Sequence, residues 1–187
     1  MNVSMISPTI PLLGFAAWSG AGKTTLLKRL LPVLRGAGLQ LALIKHAHHD
    51  FDVDQPGKDS YVLRKAGAGQ VLVASSRRLA LMVEDPEGQA IEPVLADLVQ
   101  RLDPARTDLI LVEGFKREPI PKIEIHRPGL GKALLCIDDP HIIAVATDRP
   151  EAVPPGVRVL PLDDVGAIAA FIGGYFNLPG LSADAGS

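Results

Sequence analysis

The sequence has a single cysteine, Cys136, in 187 residues, which excludes an internal disulfide and a cysteine-rich zinc site and fits a reducing cytoplasm. It has no surplus of either charge. Nineteen Lys and Arg face 21 Asp and Glu for a net charge of −2, so no polybasic field draws the chain to nonspecific nucleic acid or anionic membrane. No charged side chain precedes Lys23, so the apolar run Ile10 to Trp18 lacks the basic segment that a secretory signal carries ahead of its core. Pro8, Pro11, Gly14, Ser19, Gly20 and Gly22 also break that region well short of the roughly 20 apolar residues of a membrane span. The expectation is a soluble, cytoplasmic protein with neither nucleic acid nor membrane among its partners.

What is present suits a globular fold. Hydrophobic residues make up 47% of the chain and charged residues 21%, enough to build a core of ordinary size, and the length is about one domain's worth. Residues 1–10 read as an N-terminal extension, 11–176 as a single domain and 177–187 as a small-residue tail expected to fray.

The pattern along the chain alternates strands and helices. Leu12 to Ala17 is a short apolar strand, followed by a glycine-rich loop and a helix over Lys23 to Arg35, with Leu26, Leu27, Leu30, Leu31 and Leu34 at helical spacing. Pro32 should kink or shorten that helix, and Gly36 and Gly38 should end it. Leu39 to Lys45 reads as a second buried strand. Beyond the polar loop from His46 to Gly57 a helix is expected near Asp59 to Lys65, capped by Asp59 or Ser60. Gln70 to Ser75 and Leu79 to Glu84 read as strands around a basic turn, and Ile91 to Leu102 as an amphipathic helix. Leu109 to Val112 has the doubly apolar look of a central parallel strand covered by helices on each side. Ile123 to Arg127 and Ala133 to Ile137 suggest a hairpin, Ile142 to Ala146 another buried strand and Asp163 to Phe176 the last helix. The fold class that follows is α/β: a mostly parallel sheet of the P-loop type flanked by helices, with an antiparallel hairpin extension.

The sharpest chemical signal is Ala17-Trp18-Ser19-Gly20-Ala21-Gly22-Lys23-Thr24-Thr25, a phosphate-binding loop at every fixed position but the first, where Ala17 replaces Gly. Gly20 and Gly22 let successive backbone N–H groups face one anion, and the next helix points its positive end there. Lys23 supplies a charge to the β- and γ-phosphates, and Thr24 offers a hydroxyl to Mg²⁺. A second carboxylate is needed for the metal. The run Leu109 to Val112 delivers Glu113 to the carboxyl end of a central strand, where it would bind Mg²⁺ directly or through water, with Gly114 leaving room for phosphates. The alternative is a charged residue that merely caps a strand.

The segment from Lys45 to Asp54 holds His46, His48 and His49 together with Asp50, Asp52 and Asp54. Its spacing is not that of a calcium loop, and adjacent His48 and His49 do not easily face one ion. A nucleotide-responsive loop with Asp50 as a metal-holding or water-holding carboxylate is one reading; a solvated loop and a transition-metal site are the others. Asp148, at the end of the strand Ala144 to Thr147, is placed to accept from the N1–H and amino group of guanine, or simply to cap the turn before Arg149-Pro150. Thr147 offers a hydroxyl nearby.

The strings AAWSGAGKTTLL, LIKHAHHDFDVDQPGKDS with LRKAGA, VLVASSRR, DLILVEGFK and PKIEIHR, in this order, resemble the MobB family, the adapter proteins of molybdopterin guanine dinucleotide biosynthesis. The resemblance runs from about Pro11 to Ile172. It implies a homodimeric GTP-binding P-loop protein with Mg²⁺ and a weak intrinsic GTPase. It further implies partnership with the molybdenum cofactor guanylyltransferase that joins GMP to molybdopterin-containing intermediates, and tolerance of a small residue at the place of Ala17. Two other classes share parts of the pattern: a metal-chaperone GTPase of the nickel-insertion type, for the histidine loop, and a small P-loop kinase or ATP-dependent ligase, with Arg77, Arg78 and Arg117 as anion-binding residues.

Overall fold

The computed structural model describes residues 10–47, 51–84 and 92–181. The chain forms two compact units, one running up to His46 and resuming at Val94, the other spanning Ala47–Pro93. Among the described residues no helix is long and apolar enough to cross a membrane.

The first unit is built on a six-stranded sheet. Its strands are β1 (Leu12–Ala17), β2 (Leu41–Lys45), β5 (Leu109–Glu113), β6 (Lys122–His126), β7 (Ile142–Thr147) and β8 (Val159–Pro161), and its helices α1 (Lys23–Gly36), α3 (Leu95–Val99) and α4 (Val165–Phe176). The order is β2-β5-β1-β6-β7-β8, with every pairing parallel. Period-two alternation sends Leu13, Phe15, Leu109, Leu111, Ile123 and Ile125 into the core that they share with Leu26, Leu27, Leu30 and Leu34 of α1 and Ile168 and Ile172 of α4. Every one of these side chains is nearly or fully buried. Asp164 caps α4, its Oδ1 accepting from Ala167 N at 2.9 Å.

The other sheet face is covered differently. Leu12, Ile44, Ile110 and Val112 pack with Leu95 and Phe115, and Ala16, Ile142 and Val145 pack with Leu134. Among the described residues the expected helix over Ile91 to Leu102 reduces to the five residues of α3 (Ile91 lies outside them), which packs Leu95, Leu98 and Val99 on this side. Here β6 turns inward Lys122, Glu124 and His126, all buried. Lys122 Nζ donates to Asp139 Oδ2 at 2.9 Å, and the Glu124 carboxylate accepts from Leu135 N and Cys136 N at 2.8 and 2.9 Å. That carboxylate overturns the hairpin expected over Ala133 to Ile137: the segment is a 3-10 turn at Leu135–Ile137, its backbone donors spent on Glu124 instead of on a neighbouring strand. Gly14 is required by the same packing, because a Cβ there would lie 2.9 Å from Lys122 Cγ.

Four further expectations are corrected. Pro32 does not shorten α1, which continues past it to Gly36; it sits on the exposed side, where water can take the carbonyl its missing N–H leaves behind. β2 begins at Leu41 and is an edge strand with Leu43 46% exposed, not a buried one. Leu178 and Leu181, expected in a fraying tail, are buried in the core against α4, where Gly173 makes room for Leu181. The start of the second-unit helix is not capped by Asp59 or Ser60, since Lys58 holds that position.

That second unit contains α2 (Asp59–Lys65) and the antiparallel pair β3 (Gln70–Ala74) and β4 (Leu79–Val83), which is the hairpin extension. Arg64 of α2 is its buried centre. Its Nη2 donates to both oxygens of Asp52 at 2.8 and 2.6 Å, its Nη1 donates to Glu84, and its Nε lies 3.8 Å from Asp54 Oδ2.

Candidate functional site

β1 ends at Ala17 and α1 begins at Lys23, so the loop Trp18–Gly22 lies at the carboxyl edge of the parallel sheet. Its shape depends on two glycines in the left-handed region, Gly20 at φ 82° and Gly22 at φ 95°, the latter standing at the helix N-cap. Ala17 is 2% exposed, so the position that departs from the usual glycine is a packing position at the strand end. Ser19 and Gly20 are exposed at the crest of the loop and Ala21 is buried beneath it. The first turn of α1 carries no acidic residue and Gly22 brings no capping side chain, so the N–H groups of Lys23, Thr24 and Thr25 open a helix whose positive end faces the loop. Thr24 and Thr25 are exposed there.

The register β1–β5 pairs Phe15 with Glu113, and β2–β5 pairs Lys45 with Glu113, which sets this carboxylate beside the loop. Lys23 Nζ lies 3.8 Å from Glu113 Oε1, the two side chains 20% and 13% exposed. Partial burial pulls the Lys23 ammonium below the usual lysine value; Glu113 opposes that, and Lys116 and Lys45 push in the same direction as burial. The structure therefore brings together Lys23 and Glu113, with two further cations near them and Thr24 next to Lys23 in the chain. An anion with several charges would relieve this crowding, and a hard divalent cation would find oxygen donors in Thr24 and Glu113.

Gly114 serves a different purpose from the one expected of it. At φ 93° a Cβ would come 2.6 Å from His46 Cβ, so the room it leaves is filled by His46, not by phosphate. His46 N donates to Glu113 O at 2.8 Å and its ring stacks on Phe115 at 4.8 Å, so this histidine packs against the β5 turn. Phe115 itself is left-handed at φ 49°, an uncommon state for a bulky residue, which makes the chain reverse directly after the carboxylate. Asp50, His48 and His49 lie outside the described residues. Asp52, its side chain 38% exposed, and Asp54, at 9%, both face Arg64, and the hydrogen bond from Arg64 holds the Asp52 carboxyl below the usual carboxylate range. Among the described residues no group of three or more His, Cys, Asp or Glu side chains is arranged to hold a metal ion. Arg77 and Arg78 lie in the β3–β4 turn, their N–H groups donating to Ser75 Oγ.

Asp148 follows β7 directly and is exposed. The register pairs His126 with Thr147, so the next residues, Arg127 and Asp148, come side by side. Arg127 Nη1 donates to Asp148 Oδ2 at 2.8 Å, and Arg127 Nε donates to Ala21 O of the phosphate loop at 3.3 Å. Sequence reasoning missed Arg127; the only signal was a basic residue ending a strand just before Pro128. The Thr147 hydroxyl accepts from Arg149 N at 3.2 Å, which ties it to the turn. Trp18 of the loop donates from Nε1 to Ala133 O at 2.8 Å, with Lys116 and Lys132 each 5.7 Å from its ring centre.

Comparison with known proteins gives one consistent result. A family model described as molybdopterin guanine dinucleotide synthesis protein B (MobB) matches residues 12–148. The molybdopterin-guanine dinucleotide biosynthesis adapter protein of Escherichia coli (strain K12) is 53% identical over 164 residues, covering 87% of this chain and 91% of the relative. The protein of the same name from Haemophilus influenzae is 43% identical over 177 residues, covering 94% and 95%. Among solved structures, a crystal structure of molybdopterin-guanine biosynthesis protein B aligns with TM-score 0.67 at 27% identity, covering 89% of this chain and 99% of that one. The crystal structure of Bacillus subtilis MobB aligns with TM-score 0.64 at 27% identity, covering 88% and 97%.

Proposed function

The chain belongs to the MobB family of molybdopterin guanine dinucleotide synthesis proteins, and from that premise we propose that it is a Mg²⁺-GTP-binding adapter of molybdopterin guanine dinucleotide biosynthesis. The observation that carries the nucleotide half of this reading is the meeting of Lys23 and Glu113 at 3.8 Å beside the glycine loop. Lys23 and the N–H groups of Ser19 to Thr25 take the phosphates, and Asp148 accepts from guanine. Thr24 and Glu113, with Asp50, are the residues that would hold Mg²⁺, which supplies charge neutralisation at the phosphates. Glu113 and Asp50 are the groups that would orient water for a weak GTPase.

The partner is the molybdenum cofactor guanylyltransferase with its molybdopterin-containing intermediates, in the cytoplasm. A homodimer is part of the same reading. Leu72, Leu79, Leu81 and Val83 share one face of the β3–β4 pair and are 47–65% exposed, an apolar strip that a second copy would cover.

The test is reconstitution with the transferase in the presence of Mg²⁺-GTP, with light scattering on the same sample. The expected result is a dimer whose addition raises the yield of the guanine dinucleotide cofactor in a GTP-dependent way. The Asp50→Ala protein should lose GTP turnover more than GTP binding. No effect on yield with or without GTP would overturn the adapter reading.

A further inference from the structure

Arg127 joins two parts of the site that the chain reaches from different strands. Its Nε donates to Ala21 O in the phosphate loop at 3.3 Å and its Nη1 to Asp148 Oδ2 at 2.8 Å, while a Cβ on Gly22 would lie 3.8 Å from Nε. The backbone at Arg127 is extended, φ −122°, as the following Pro128 favours, so the direction in which the side chain leaves the strand is set before either contact forms. The Asp148 and Arg127 side chains are 37% and 40% exposed, and an ion pair that open contributes little to stability. Its value is geometric.

We propose that Arg127 is a positioning residue for base selection: it fixes the Asp148 carboxylate against the phosphate loop, so that guanine is read only when the phosphates are seated. The proposal rests on the reading of Asp148 as the guanine acceptor. A carboxylate oxygen has two acceptor directions, so the bond from Arg127 to Oδ2 leaves Oδ1 and one direction of Oδ2 for the N1–H and amino group of the base. Without Arg127 an exposed aspartate samples several rotamers, and ordering it would be charged against GTP binding alone. The planar guanidinium reaches two acceptors at once; an ammonium acts as a point charge and does not hold both in a fixed plane. The trans peptide between Ala21 and Gly22 points its N–H opposite to its C=O, so the anchor on Ala21 O is made on the side of the loop away from the anion.

The experiment is competition binding of GTP and ATP, with Mg²⁺, to the full chain and to its Arg127→Ala, Arg127→Lys and Asp148→Asn variants. Wild type should prefer GTP on the order of tenfold to a hundredfold. Arg127→Ala and Arg127→Lys should both bring the ratio down to about that of Asp148→Asn, with ATP affinity changed by no more than about threefold, and Arg127→Ala should add nothing in the Asp148→Asn background. Retained ATP binding is the control for folding. A GTP-to-ATP ratio in Arg127→Ala that is unchanged or raised, including an equal loss of both nucleotides, overturns the proposal. So does a wild-type ratio in Arg127→Lys. An unmoved ratio in Asp148→Asn removes the guanine reading itself, and this inference with it; a ratio that collapses in Asp148→Asn but not in Arg127→Ala removes this inference alone.

Discussion

At the amino-terminal edge of the parallel sheet Lys122 meets Asp139 at 2.9 Å with 3% of the lysine exposed; at the carboxyl-terminal edge Lys23 stands 3.8 Å from Glu113, 20% and 13% exposed. The same two charge types thus make a closed pair at one end and an open pair at the other. In the closed pair, burial by itself would raise the Asp139 carboxyl. The bond from Lys122 and the His141 N–H outweigh it and hold the group below the usual carboxylate range. The lysine of the open pair is pulled below its usual value first by burial, and among the described residues one carboxylate, Glu113, opposes two neighbouring cations. A closed pair has spent its hydrogen-bonding capacity on the fold. An open, cation-rich one has capacity left for an anionic ligand.

The comparison breaks if either pair behaves like the other. The largest effect is expected at the closed pair: Asp139→Ala leaves Lys122 buried without its partner and should cost about 3–5 kcal/mol in urea unfolding, while the folded fraction keeps its GTP affinity. A loss below about 1 kcal/mol would make this pair as open in energy as an exposed one. Lys23→Ala should do the reverse, weakening GTP binding by about 1.5–3 kcal/mol in equilibrium titration with little change in the melting midpoint. Unchanged affinity in the folded variant would remove Lys23 from the phosphate site.

The smallest effect is a pH dependence. Asp139 has a folded-state pKa below its unfolded one, so its contribution is complete above the ordinary carboxylate range and is lost as pH falls through the depressed value. The stability difference between wild type and Asp139→Ala should therefore be flat near neutrality and shrink on acidification. A difference that instead grows toward acid pH would contradict this assignment.

The phosphate loop, the strand that carries Glu113 and the helices after them were legible because each depends on neighbours in sequence: glycines where φ must be positive, leucines at helical spacing, an apolar run ending in a carboxylate. The segment Ala133–Ile137 was misread because its apolar alternation is that of a strand, while its N–H groups were already committed to Glu124, a residue whose burial no local pattern reveals. Gly114 was recognised as a place of close approach, but the approaching atom is His46 Cβ, carried there by the β2–β5 pairing across 68 residues of chain.

By itself the sequence determined the glycine loop between β1 and α1, the alternation of strands and helices and the family to which the chain belongs, since these reside in contiguous motifs whose backbone geometry is local. Only the tertiary structure decided which charges meet. Strand order and register bring Lys23 to Glu113, Lys122 to Asp139 and Arg127 to both Ala21 and Asp148, and register is set by how the buried faces of separate strands match, not by any one of them.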